Sequence, residues 1–123
     1  EPVIQRLVDK HYQALVSESM AWIPAELDNG WFDYGTSHPH VGYRKDPLGV
    51  VHLRGLAKRS DDQNLKPAFV LGLGYRPEAD LVFVVACDGD TPCEVSIQSN
   101  GKVEFQVPAW RWVSLDGISF HAQ

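Results

Sequence analysis

Tyr43-Arg44-Lys45-Asp46-Pro47-Leu48-Gly49-Val50-Val51-His52-Leu53-Arg54-Gly55-Leu56-Ala57 is the stretch whose reading decides the fold. Asp46-Pro47-Leu48-Gly49 reads as a turn, because proline presets φ and glycine is free to take the positive φ that turns often need. The residues after it alternate. Val51, Leu53, Gly55 and Ala57 fall on one side and Val50, His52, Arg54 and Leu56 on the other, the period-two signature of a β-strand. The first set is a core face. The second mixes apolar and charged side chains, so that side is not simply solvent.

Composition sets the outer bounds. The chain has 123 residues, 44% of them hydrophobic and 22% charged, as expected of one folded globular domain with at most a short appendage. Eight prolines and ten glycines among many β-branched residues lean towards an all-β body with many turns. A net charge of −5 argues against a nucleic-acid partner, which needs a basic face to displace counterions. It leaves room for a small basic patch such as Arg44, Lys45, Arg54, Lys58 and Arg59. No run approaches the ~20 apolar residues of a membrane span, so no membrane insertion is expected. The sequence has no initiator methionine and no signal-peptide pattern, and the expectation is a fragment or a processed product.

Outward from the opening stretch, the chain divides into an N-terminal helix over 1–20 and a β-rich head over 21–123. Ile4, Leu7, Val8, His11 and Leu15 share one helical face, and Ile4, Val8, His11 and Leu15 also read as a coiled-coil seam two heptads long. A helix this short is marginal in water alone, so it must pack on the body or on copies of itself. Pro24 and Asp28-Asn29-Gly30 then break any helix. Trp31-Phe32-Asp33-Tyr34 and Val41-Gly42-Tyr43-Arg44-Lys45 read as strands that form a meander with the opening stretch. Ala68–Leu71 is a short strand, and Leu81-Val82-Phe83-Val84-Val85-Ala86-Cys87, apolar on both sides, reads as the most buried strand. Cys93–Gln98 and Lys102–Val107 alternate cleanly around Asn100-Gly101, a hairpin signal that puts Val95, Ile97, Val103, Phe105 and Val107 in the core. Trp112–Leu115 and Ile118–His121, hinged at Asp116-Gly117, complete eight or nine strands. The expected fold is all-β, an antiparallel β-sandwich or jelly-roll-like head with a short N-terminal α-helix.

Chemistry is sparse. No hydrolase elbow, phosphate loop or dinucleotide fingerprint occurs, and Gly72-Leu73-Gly74 reads as a turn. His38-Pro39-His40 and Asp88-Gly89-Asp90 offer imidazoles and carboxylates, but neither spacing specifies a metal, and no metal or cofactor is expected. Cys87 and Cys93 flank a very short loop. They are either bridged or two reduced thiols at neighbouring strand ends. No pair of carboxylates is marked for sugar hydrolysis, so no enzyme is expected. A binding surface remains. Trp31, Trp112, Phe105 and Phe120 lie within strands and read mainly as core, whereas Tyr34, His38, His40, Trp110 and Arg111 are placed for exposure and are the ligand-contact candidates.

Four blocks carry a resemblance: Asn29-Gly30-Trp31-Phe32-Asp33-Tyr34-Gly35, the Tyr43–Ala57 stretch, Gly74-Tyr75-Arg76-Pro77, and Trp112-Val113-Ser114-Leu115-Asp116-Gly117-Ile118-Ser119-Phe120-His121-Ala122. In this order they resemble the C-terminal head domains of bacteriophage tail fibres and related receptor-binding proteins. The resemblance implies a homotrimeric fibre tip on a virion or tail-derived extracellular particle. It also implies a stalk joining the rest of the fibre, and a bacterial surface glycan or other envelope receptor as partner. The trimer-interface candidates are Ile4, Val8, His11 and Leu15 on the helix, with His52 and Arg54 on the mixed strand face. Two alternatives are a structural trimerisation cap with no ligand and a carbohydrate-active enzyme head. Ser60–Lys66 and the Cys87–Cys93 loop are not part of the resemblance, and such loops on a fixed scaffold are where recognition specificity sits.

Overall fold

A computed structural model describes residues 21–59, 66–88, 92–106 and 112–122. The helix expected over 1–20, with Ile4, Val8, His11 and Leu15, lies outside the described residues, as do Trp110 and Arg111. The described residues contain β-strands and no helix. In chain order the strands are β1 (Ile23–Pro24), β2 (Trp31–Asp33), β3 (Gly42–Lys45), β4 (Val50–Arg54), β5 (Leu56–Arg59), β6 (Phe69–Val70), β7 (Leu81–Val85), β8 (Cys93–Ile97), β9 (Lys102–Gln106), β10 (Trp112–Ser114) and β11 (Ser119–His121).

They form three antiparallel sheets with the orders β1-β3-β4-β11, β10-β5-β2 and β6-β9-β8-β7. The opening stretch builds two of them. The Asp46–Gly49 turn closes the β3–β4 hairpin: Gly49 N–H donates to the Asp46 carbonyl at 3.0 Å, and Gly49 takes a φ of 86°. This is a turn followed by a left-handed residue, a common hairpin connection. The strand then runs on from β4 into β5 through Gly55 alone, and the chain changes sheet there. Gly55 has a φ of 113°, and a Cβ on it would stand 2.6 Å from the Val41 Cα and 2.7 Å from the His40 carbonyl oxygen. Only glycine fits so close to another backbone in that conformation. Its N–H donates to Asp116 Oδ1 at 2.9 Å, and its carbonyl accepts from Leu115 N–H at 2.9 Å, which ties the crossing to the β10–β11 turn.

The inward faces of all three sheets share one core. Val51, Leu53 and Ala57 are buried as the alternation requires, and so are Val95, Ile97, Val103 and Phe105. Burying each of these larger side chains contributes roughly 1.5–3 kcal/mol. Aromatic rings bridge the sheets. Trp31 of β2 meets Phe105 of β9 edge-on at 4.7 Å, Phe105 meets Phe69 of β6 at 6.4 Å, and Phe69 stacks with Tyr43 of β3 at 6.3 Å.

Three expectations are corrected. The opening meander is only the β3–β4 hairpin, because β2 pairs with β5 in another sheet and Asp33 reaches β3 through its side chain instead, accepting from Val41 N–H at 2.7 Å. The described residues hold eleven strands rather than eight or nine, since the long strand divides at Gly55 and Ile23–Pro24 adds a short edge. The Leu81–Cys87 run is not the most buried strand. Among the described residues β7 is an edge strand paired only with β8, and Val82 and Val84 are 65% and 72% exposed. An apolar run reports composition, not position in a sheet, and this one has its core on one side only.

Beyond β7 the chain also changes sheet. Ser114 N–H donates to the Ala86 carbonyl at 3.0 Å and Asp88 N–H to the Trp112 carbonyl at 3.2 Å, so residues 86–88 run beside β10. Cys87 and Cys93 are joined in a disulfide, which resolves the alternative left by the sequence and fastens this crossing to the start of β8.

Candidate functional site

The solvent face of the β10-β5-β2 sheet carries the candidate site. Alternation places it: Val113 and Leu115 are buried, so Trp112 and Ser114 must point the other way, and Ala57 and Arg59 do the same for Leu56 and Lys58. Cross-strand register then arranges these side chains in rows. Phe32, Lys58 and Trp112 lie abreast, and Leu56 and Ser114 form the next row. Tyr34 joins that second row, its N–H donating to the Leu56 carbonyl at 2.9 Å.

Loop residues raise walls around this floor. Thr36 takes a φ of 56° and His38 N–H donates to the Gly35 carbonyl at 3.2 Å, so the chain folds back towards Tyr34. The His38 and Tyr34 rings meet edge-on at 5.1 Å. Pro39 extends that wall, while Ala86 and Asp116 border the cleft from the two chain crossings. The result is an open cleft of about 390 Å³, within the size range of small-ligand sites.

Its chemistry is mixed. Tyr34 and Trp112 offer aromatic faces, and Leu56, Ala86 and Pro39 offer apolar surface. Asp116, Ser114 and His38 offer polar atoms. Asp116 Oδ1 already accepts from Gly55 N–H, and Ser114 Oγ accepts from Asp116 N–H at 3.3 Å. A carboxylate has two oxygens and about four acceptor positions, so Asp116 keeps capacity for a ligand while being held in place. Aromatic faces combined with fixed hydroxyl-binding groups suit a sugar ring, which has apolar C–H faces and a polar rim.

Of the ligand-contact candidates, Tyr34 and His38 line the cleft. His40 does not. Its side chain is 83% exposed and turns to Asp33, with Nδ1 2.9 Å from Oδ2. Of the trimer-interface candidates, His52 and Arg54 lie on the outer face of the β1-β3-β4-β11 sheet, away from the cleft. His52 Nε2 is 2.9 Å from Asp46 Oδ2, and the Arg54 guanidinium sits 4.3 Å from the Trp22 ring centre, with its Nε buried. Asp46 lies below the ordinary carboxylate value of 3.8, chiefly because of the His52 hydrogen bond and secondly because Val50 N–H donates to it. Among the described residues, no group of three or more His, Cys, Asp or Glu is placed to hold a metal.

Trp112, Ser114, Leu56 and Asp116 are the site residues that the sequence reading missed, Trp112 having been assigned to the core. The signal was present in the alternation itself, since a strand with Val113 and Leu115 inside has Trp112 and Ser114 outside. No protein-family model, curated protein or solved structure matches the chain.

Proposed function

We propose that this chain is the receptor-binding head of a phage tail fibre or tail-derived particle, and that it binds a bacterial surface glycan in the cleft on the β10-β5-β2 sheet. The observation that carries this reading is the cleft: Tyr34 and Trp112 faces beside Asp116, Ser114 and His38, in a volume of about 390 Å³. The four sequence blocks that resemble tail-fibre heads support it. A β-sandwich or jelly-roll-like head assembled as a homotrimer is part of the same reading, with the mixed face around His52 and Arg54 turned towards a neighbouring subunit. The Cys87–Cys93 bridge suits an extracellular particle, because disulfides persist in oxidising surroundings. Binding is non-covalent, and three heads on one tip multiply weak sites through effective concentration.

The test is binding of fluorescently labelled protein to a panel of bacterial strains before and after their surface glycans are stripped. At least one strain is expected to be coated, with the signal lost on stripping and lost in Trp112→Ala. Coating that survives stripping would transfer the receptor to another envelope component. No coating of any strain, with intact folded protein, would favour a structural cap over a receptor-binding head.

A further inference from the structure

Lys58 stands next to the cleft. It is half-buried on the floor of the sheet, abreast of Trp112 and Phe32. Its Nζ lies 5.2 Å from the ring centre of Phe32 and 5.2 Å from that of Tyr34. No carboxylate among the described residues is within ion-pair distance of it. Acids are not in short supply, since the chain has 16 acidic against 11 basic side chains. Two cations elsewhere on the molecule have a protein acceptor instead: Lys45 donates to the Gly74 carbonyl and Arg76 Nε to the Leu71 carbonyl, each at 2.8 Å.

We infer that the glycan bound in the cleft is acidic, with Lys58 receiving a carboxylate or phosphate carried by a sugar that lies on Tyr34 and Trp112. This rests on the reading of the cleft as a saccharide site. Two aromatic rings hold the ammonium in place without neutralising it, so it meets an anion already oriented. The register supplies the direction. Lys58 pairs with Trp112 and Leu56 with Ser114, so the cation lies two residues, roughly 7 Å, along the sheet from the row that leads to Asp116. One end of the site accepts hydroxyl hydrogens and the other attracts negative charge. An acidic sugar bound the other way round would set its charge against Asp116. Lys58 therefore decides both which saccharides bind and which way they lie.

The experiment uses an array of uronic-acid-bearing and phosphate-bearing bacterial polysaccharides. Each is printed beside its carboxyl-reduced or dephosphorylated counterpart and probed with the 123-residue chain. The unmodified protein is expected to prefer the acidic member of a pair by about tenfold or more, an advantage that shrinks as salt is raised. Whether the preference falls on the carboxylate or the phosphate pairs identifies the group. Lys58→Gln should remove the preference while leaving binding to the neutral counterpart within about twofold, and Lys58→Arg should restore it. Equal binding of acidic and neutral members by the unmodified protein overturns this inference and leaves the saccharide cleft standing. Absence of binding to every polysaccharide overturns the saccharide reading itself. If Lys58→Gln does not fold, the paired comparison and its salt dependence decide the matter.

Discussion

At the scale of single residues, Asp46 shows how one side chain fixes a turn and a face together. Its Oδ1 accepts from Leu48 N–H at 2.9 Å and Val50 N–H at 3.1 Å, which holds the β3–β4 turn, and its Oδ2 lies 2.9 Å from His52 Nε2. A carboxylate only accepts, so the imidazole nitrogen there is the donor. These bonds favour the ionised form and place Asp46 below its ordinary value of 3.8 in the folded chain. The sign of the consequence follows. Between the folded and unfolded values the unfolded chain binds the extra proton, so stability rises with pH across that window. The contribution is complete above the ordinary value and is lost as pH falls through the folded one. Asp46→Asn keeps an oxygen for the turn but cannot ionise. The difference in unfolding free energy between the native chain and Asp46→Asn should therefore shrink as pH falls from about 5 through 4 and below. Denaturant melts across pH check this, and two curves that stay parallel down to about pH 2 would remove the charge from the account.

At the scale of elements, β7 and β8 are neighbours with opposite exposures. Ile97 on β8 is fully buried, whereas Val82, its neighbour in the adjacent register pair, is 65% exposed on the edge strand. Ile97→Ala should cost about 2–5 kcal/mol, because it removes buried carbon and leaves a cavity. Val82→Thr keeps the β-branched shape and should stay within about 0.5 kcal/mol. Urea midpoints separate the two, and a large cost for Val82→Thr would mean that its face is covered in solution. The same pair of strands shows what a sequence can convey. The alternation of β8 and β9 was readable because each strand has one wet and one dry face, and the Asn100-Gly101 turn fixed their pairing. The place of β7 was not readable, because Val82 and Val84 look like core residues whichever edge they occupy. The division of the long strand at Gly55 was hidden for another reason. Gly55 fits the buried alternation, and nothing in that pattern announces a φ of 113° or the change of sheet.

At the scale of the whole molecule, the outer faces of the β10-β5-β2 and β1-β3-β4-β11 sheets differ in their chemistry. The cleft was only partly legible beforehand. Tyr34 and His38 could be picked out as exposed residues near a loop, but Trp112, Ser114 and Lys58 come from strands distant from them in sequence, and the antiparallel register brings these to one floor that Asp116 borders. The mixed face of β4 was legible as mixed, and it holds His52 with Asp46 and Arg54 against Trp22. Arg44 also approaches Trp22, at 4.9 Å from the ring centre, so two guanidinium groups secure that indole just before β1. Arg54→Ala removes one of these contacts and its buried stem, at a cost of roughly 0.5–2 kcal/mol. The cost should appear in the urea midpoint and, if this face meets a neighbouring subunit, as a lower sedimenting mass at micromolar concentration. It should leave saccharide binding per folded chain unchanged. Trp112→Ala should do the converse, abolishing binding while sedimenting like the native chain. Because the Arg54 and Trp112 side chains lie on different sheets, the effects should add in the double variant to within about 0.5 kcal/mol of stability. Loss of saccharide binding in Arg54→Ala at unchanged mass would instead put the receptor on the β1-β3-β4-β11 sheet and return the cleft to the scaffold.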